Sequence, residues 1–223
     1  MKPHAIARPG PGRVRSWTLA ALLLIPLLAP ACQQRPSYTT DHPILQKPVG
    51  ELTDEEIAVM VATVNTNYGT FRFQLQPDWA PKTCRHFIRL VKMGYYNGLQ
   101  FHEVRAGTWI RAGDPDLSPV PAPTEAMPVE YPRGLRQVLH QKGAVGLYHP
   151  DHRPDEGGKE FYVMLRKYPE MDGGYTAFGM VIEGMDVVDR IGALVTTPPG
   201  GEPRPYRPLT PVRIERLRLE VKK

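Results

Sequence analysis

From Ile57 onward the chain keeps a period of two, and that period limits it to a sheet protein. IAVMVATVNTN and GTFRFQLQ alternate apolar and polar side chains around the turn Asn67-Tyr68-Gly69, which predicts a hairpin with one face buried. Further strands are expected at 99–104, 108–112, 144–148, 160–165 and 175–182, with a last one in VRIERLRLEV. Two long stretches, DPDLSPVPAPTEAMPVEYPRG and TTPPGGEPRPYRP, are rich in proline, which cannot donate to a ladder, so both read as surface loops. Two segments change to the helical period. APKTCRHFIRLVKMGYYNG opens on Pro81, lines up Cys84, Phe87, Ile88 and Val91 on one face, and stops at Gly94. EGMDVVDRIGAL does the same with Met185, Val188 and Ile191. Seven or eight strands with one helix early and one late predict a mainly β fold, a closed eight-stranded β-barrel capped by two α-helices.

The N-terminal side is different in kind. Residues 1–31 have a basic opening and an apolar run from Trp17 to Leu28, closing on small residues before Cys32. At about 1.5 Å per residue that run is too short for a hydrocarbon core of roughly 30 Å, so it reads as a removable secretory signal. Leu28-Ala29-Pro30-Ala31-Cys32 resembles the lipobox of bacterial lipoproteins, although the usual Leu stands three residues before the Cys and Leu28 stands four before it. The resemblance implies lipidation of Cys32 and a lipid anchor holding an exported protein to a bacterial membrane. The alternative is cleavage after Ala31 with a free thiol left behind. Gln33 and Gln34 lack the Asp that retains some lipoproteins at the inner membrane. Residues 32–56 show no period and carry three prolines, which reads as a flexible tether ahead of a domain spanning 57–223. Cys84 falls in a helical pattern and reads as a small core residue, so no disulfide framework is indicated.

Charge narrows the function classes. The net charge is +5, but Lys2, Arg8, Arg13 and Arg15 all lie in the acid-free leader; without these four, about +1 remains and no basic stripe to follow a phosphate backbone. Nucleic acid is therefore not an expected partner. No Ser, His and Asp set or phosphate-cradling Gly loop supports hydrolase or kinase chemistry. HPDHRPDE places His149, Asp151, His152 and Asp155 close together, but a short Pro-containing loop converges poorly on a metal, and neither metal nor cofactor is expected. His102 reads as a buried, hydrogen-bonded sheet residue.

Four segments together resemble the cyclophilin family of peptidyl-prolyl isomerases: GTFRFQLQPDWAPKTCRHFIRLVKMGYYNG, FHEVRAGTWIRAGDP, GAVGLYHPDHRPDEGGKEFYVML and MDGGYTAFGMVIEGMDVVDRI. The likeness covers about 57–221. It implies rotation about an X-Pro bond, catalysed by an apolar seat for the proline ring and a donor to the prolyl nitrogen. It also exposes departures. In the family an Arg follows FH, where this chain has Glu103; the family's Gln positions hold Arg111 and Glu160. The family's Phe, Met, Phe, Trp, Leu and His positions hold Thr108, Trp109, Tyr162, Glu170, Met171 and Tyr175. The family's Ala-Asn pair, which holds the peptide backbone, falls on Tyr148-His149. The resemblance thus places the substrate seat at Trp109, Leu147, Tyr148, His149, Tyr162, Met171 and Tyr175. For the polar wall, Arg111 is expected to act on the substrate amide while Glu103 and Glu160 clamp its guanidinium.

Three functions follow from these residues: a membrane-tethered monomeric isomerase for proline-containing exported polypeptides, weakened by the Arg-to-Glu departure; a catalytically inactive proline-peptide binding module; and a scaffold piece using its Pro-rich loops. The charge cluster has a plainer reading as well, a satisfied ion network lining a dead pocket.

Overall fold

The computed structural model describes residues 36–223, apart from 115, 117, 119, 122–126, 133–136, 152, 154–156 and 202–203. The expected period-two segments form strands β2 (Met60–Thr66), β3 (Gly69–Leu75), β4 (Phe101–Arg105), β5 (Trp109–Ala112), β6 (Ala144–Leu147), β7 (Phe161–Met164), β8 (Thr176–Glu183) and β9 (Ile214–Lys222), and a short strand β1 (Tyr38–Thr39) precedes them within the expected tether. They make one nine-stranded sheet in the order β1-β9-β2-β3-β8-β6-β7-β5-β4, with every pairing antiparallel. The expected closed eight-stranded ladder is corrected in two ways. There is a ninth strand, and β4 and β9 share no continuous ladder: their flanks meet through the bridge of Gln100 with Arg213 and the bonds Gly98 N to Ile214 O, Phe101 N to Val212 O and Ile214 N to Leu99 O.

Helix α2 (Pro81–Lys92) buries Cys84, Phe87, Ile88 and Val91 against the sheet. Pro81 at its start needs no partner for a missing N–H, and Arg89 and Lys92 sit in its last turn where the dipole favours cations. Its N-terminal amides find a cap from far along the chain: Glu130 accepts from Lys82 N at 3.1 Å and Thr83 N at 2.6 Å. Helix α3 (Met185–Gly192) buries Val187, Val188 and Ile191, with Met185 only partly covered. The core between sheet and helices is aromatic, with Phe71, Phe73, Phe87, Phe101, Phe161, Phe178, Tyr95 and Tyr96 all buried.

The tether is corrected from Pro36 onward. Ile44 and Leu45 sit on a 3-10 turn (Pro43–Gln46) and, with Leu52, are buried in the main core. Thr53 and Glu56 then form a reciprocal capping box at the start of α1 (Asp54–Ala58). Arg85 reaches back to Asp54 and the Leu52 carbonyl, and β1 adds to the end of β9. Residues 36–56 are thus an arm of the domain. The leader and Cys32 lie outside the described residues.

Candidate active site

One hairpin builds the polar half of the site. β4 and β5 turn around Gly107, whose φ of 70° suits glycine, and their register sets Glu103 opposite Arg111 and Arg105 opposite Trp109. β7 continues the face by pairing Tyr162 with Arg111. Because side chains alternate, Glu103, Arg105, Trp109, Arg111, Glu160 and Tyr162 stand on one side of the sheet, away from the aromatic core. A bulge at His102 lets its ring join them, with Nε2 at 3.1 Å from Glu160 Oε2.

These residues make one charge network. Arg111 donates through Nη2 to Glu103 Oε2 and faces Glu160 Oε2 through Nη1 at 2.9 Å. Glu103 Oε1 also accepts from Arg105 Nε at 2.6 Å and Trp109 Nε1 at 3.0 Å. The Arg111 guanidinium lies over the Tyr148 ring, 3.7 Å from its centroid, which adds a cation–π contact. Burial alone would push the Glu103 carboxyl up; the Arg111 and Arg105 charges, with the Arg111 and Trp109 hydrogen bonds, outweigh it and hold the group below the usual carboxylate range. Burial would likewise lower Arg111, and the Glu160 and Glu103 carboxylates raise it instead. Among the described residues the buried Arg111 Nε–H has no acceptor.

Beside the network lies a separate apolar cluster. Tyr162, Met171, Ala144 and Met164 are buried in it, with Trp109, Tyr148 and Tyr175 packed against them. Trp109, Tyr162 and Met171 therefore pack together in one cluster. Tyr162 is only 1% exposed. Its hydroxyl donates to His140 Nε2 at 2.8 Å while His140 Nδ1 donates to Asp172 Oδ1 at 2.5 Å; the acceptor-only carboxylate fixes that tautomer. Burial lowers the His140 pKa against the opposing pull of Asp172. Gly146 is obligatory here, because a Cβ at that position would land inside the Tyr162 ring and hydroxyl.

One expected seat residue is corrected. Leu147 points to the opposite face, into the main core, because it is one residue out of phase with Gly146 and Tyr148. The His149 ring is engaged within the chain: Nδ1 and Nε2 lie at 3.0 and 2.9 Å from the carbonyls of Pro150 and Gly174, and the ring stacks on Tyr175 at 4.3 Å. The Tyr175 hydroxyl is in turn taken up by Asp151 at 2.5 Å, and burial with that carboxylate pushes the phenol well up. Met171 and Tyr148 are members of the cluster. Of the acid-and-His loop, His152 and Asp155 lie outside the described residues, and among the described residues no group of three metal-ligating side chains forms.

His140 and Asp172 bond to this cluster and were not singled out by sequence. Arg105 was visible in the hairpin, since it sits as far before Gly107 as Trp109 sits after it. The one signal for His140 was indirect: a Tyr in a buried Phe position needs a hydrogen-bond partner.

The family description "Cyclophilin type peptidyl-prolyl cis-trans isomerase/CLD" matches residues 61–219. A peptidyl-prolyl cis-trans isomerase-like 1 of Aspergillus oryzae is 33% identical over 155 residues, covering 70% of this chain and 92% of its own. A peptidyl-prolyl cis-trans isomerase of Helicobacter pylori is 33% identical over 144 residues, 63% of this chain and 86% of its own. Among solved structures, a Cryptosporidium parvum cyclophilin-type isomerase in the presence of the dipeptide Ala-Pro superposes with a TM-score of 0.59 at 23% identity, covering 73% of this chain and 98% of that one. The matched span contains most of the sheet, the hairpin around Gly107 and the cluster around Tyr162, and on that ground the chain belongs to the cyclophilin-type peptidyl-prolyl cis-trans isomerases.

Proposed function

We propose that the protein turns over X-Pro bonds of exported polypeptides at a bacterial cell envelope, exported by its leader and anchored through Cys32, with turnover weakened by the carboxylate at position 103. The uncatalysed barrier is about 18–20 kcal/mol because amide resonance is lost in the twisted state. Lowering it requires an apolar seat for the ring and a fixed donor at the prolyl nitrogen, with no covalent step. One observation carries the reading. The Arg111 guanidinium stands on the same sheet face as the cluster of Trp109, Tyr162 and Met171, its Nη atoms held by Glu103 and Glu160 and its Nε–H without a partner. A guanidinium held at two points is preorganised, and an N–H left unused by Glu103 and Glu160 is the donor that the family's own Arg would supply.

A protease-coupled assay on a short peptide with one Ala–Pro bond tests this. Acceleration by the wild type that falls in Arg111→Ala supports the proposal, and equal rates end it. The second reading is a module that grips proline segments without turning them over, supported by the near-complete burial of Tyr162 and the Tyr148 ring against Arg111. Peptide binding by calorimetry with no acceleration selects that reading.

A further inference from the structure

The described domain begins at Pro36, four residues after Cys32. Four residues reach about 14 Å at most in any conformation, so the face around Pro36 is held close to whatever holds Cys32. Pro36 itself lines a groove of about 570 Å³. Its apolar walls are Val59, Val61, Ile182 and Val221, and Val59 and Ile182 are 49% and 43% exposed, two of five large apolar side chains so exposed among the described residues. Lys222 lines the same groove, and Lys223 follows it, its amide bonded to the Ser37 carbonyl at 2.8 Å. The lining includes one carboxylate, Glu183, already occupied by the Tyr38 hydroxyl at 2.6 Å and Arg72 at 2.9 Å.

We propose that this groove is a bilayer-docking face. With Cys32 acylated, Val59 and Ile182 enter the boundary between headgroups and acyl chains, while Lys222 and Lys223 meet anionic headgroups. The short link makes the encounter intramolecular, so an apolar contact too weak to bind free protein is enough. The inference rests on the lipid-anchor reading above. It also orients the molecule. The groove is formed on β9, β2, β3 and β8, whereas the candidate active site is built on β4, β5, β7 and β6, so the docked domain keeps that site open to clients.

To test it, the full chain is produced in a bacterial host that acylates lipoproteins, with a nitroxide at Val59→Cys, Ile182→Cys or Leu209→Cys. Cys84 is buried and does not compete for the label, and Leu209, 63% exposed, follows the loop of Arg204 and Tyr206. The protein is placed in vesicles of phosphatidylethanolamine and phosphatidylglycerol. Labels at 59 and 182 are expected to relax more with oxygen than with a water-soluble nickel chelate, and the label at 209 to do the reverse. If 59 and 182 behave like 209 while mass spectrometry shows an acylated Cys32, docking is wrong and the anchor stands. An unmodified N-terminus overturns both. Labels shielded from both reagents and broadened by a second spin mean that another copy of the chain covers the groove, which also overturns the proposal.

Discussion

Removing Arg111 separates a catalytic cation from a structural one. Arg111→Ala leaves the Glu103 carboxylate, 5% exposed, without its nearest countercharge, and leaves Glu160 with His102 alone among the partners described here. Stripping one partner from a buried pair costs about 3–5 kcal/mol. Arg105 still holds Glu103 from a half-exposed position, which places the expected loss near the lower end, about 3 kcal/mol. Glu103→Ala is milder: Arg111 keeps Glu160 and the Tyr148 ring, so the loss is about 1–3 kcal/mol. The double variant removes both charges together and should cost less than the sum by roughly 1–3 kcal/mol. Urea unfolding followed by fluorescence at neutral pH gives all four corners of the cycle. On the same proteins, the protease-coupled assay should show Arg111→Ala slower by about 100- to 1000-fold, the usual effect of losing one preorganised donor. Arg111→Lys keeps the charge and loses the fork, so it should recover stability more than rate. Additivity within about 0.5 kcal/mol would refute the coupling, and unchanged turnover in Arg111→Ala would refute the catalytic role.

Gly146→Ala drives a methyl into the Tyr162 ring and should destabilise by about 1–3 kcal/mol, seen as a lower midpoint in thermal unfolding. A chain trimmed to start at Ile57 loses the burial of Ile44, Leu45 and Leu52; at about 1.5–3 kcal/mol per large apolar side chain, it should unfold at markedly lower urea than the chain starting at Pro36. Glu103 is held below its ordinary pKa of 4.5. Its contribution is therefore complete above that value and fades as pH falls towards the lowered folded one, so the gap in stability between wild type and Glu103→Gln should narrow on acidification below pH ~4.5; a gap that stays constant contradicts the pairing.

Strands β2 to β9 and both long helices could be read from period alone, because each buries one face and the alternation records which. The polar site was legible for a geometric reason too. A hairpin centred on Gly107 pairs residues equidistant from it, so Glu103 must face Arg111 and Arg105 must face Trp109. What escaped lies where no period operates. Ile44 and Leu45 bury themselves from a single 3-10 turn, too short to repeat. The Glu130 cap on α2 comes from 47 residues away, and Asp172 reaches His140 across 32. Leu147 was misplaced because the seat was taken from resemblance, whereas the pleat assigns its face by parity with Gly146.

The Tyr148 ring covers the Arg111 guanidinium, its centroid 3.7 Å from Cζ, and that cover acts as a latch. A ligand approaching the cation from that side must first swing the phenol aside, so arrival depends on how often the ring lifts as well as on how often the two molecules collide. Entry by that route then saturates at the opening rate however concentrated the peptide, a ceiling that Tyr148→Ala removes.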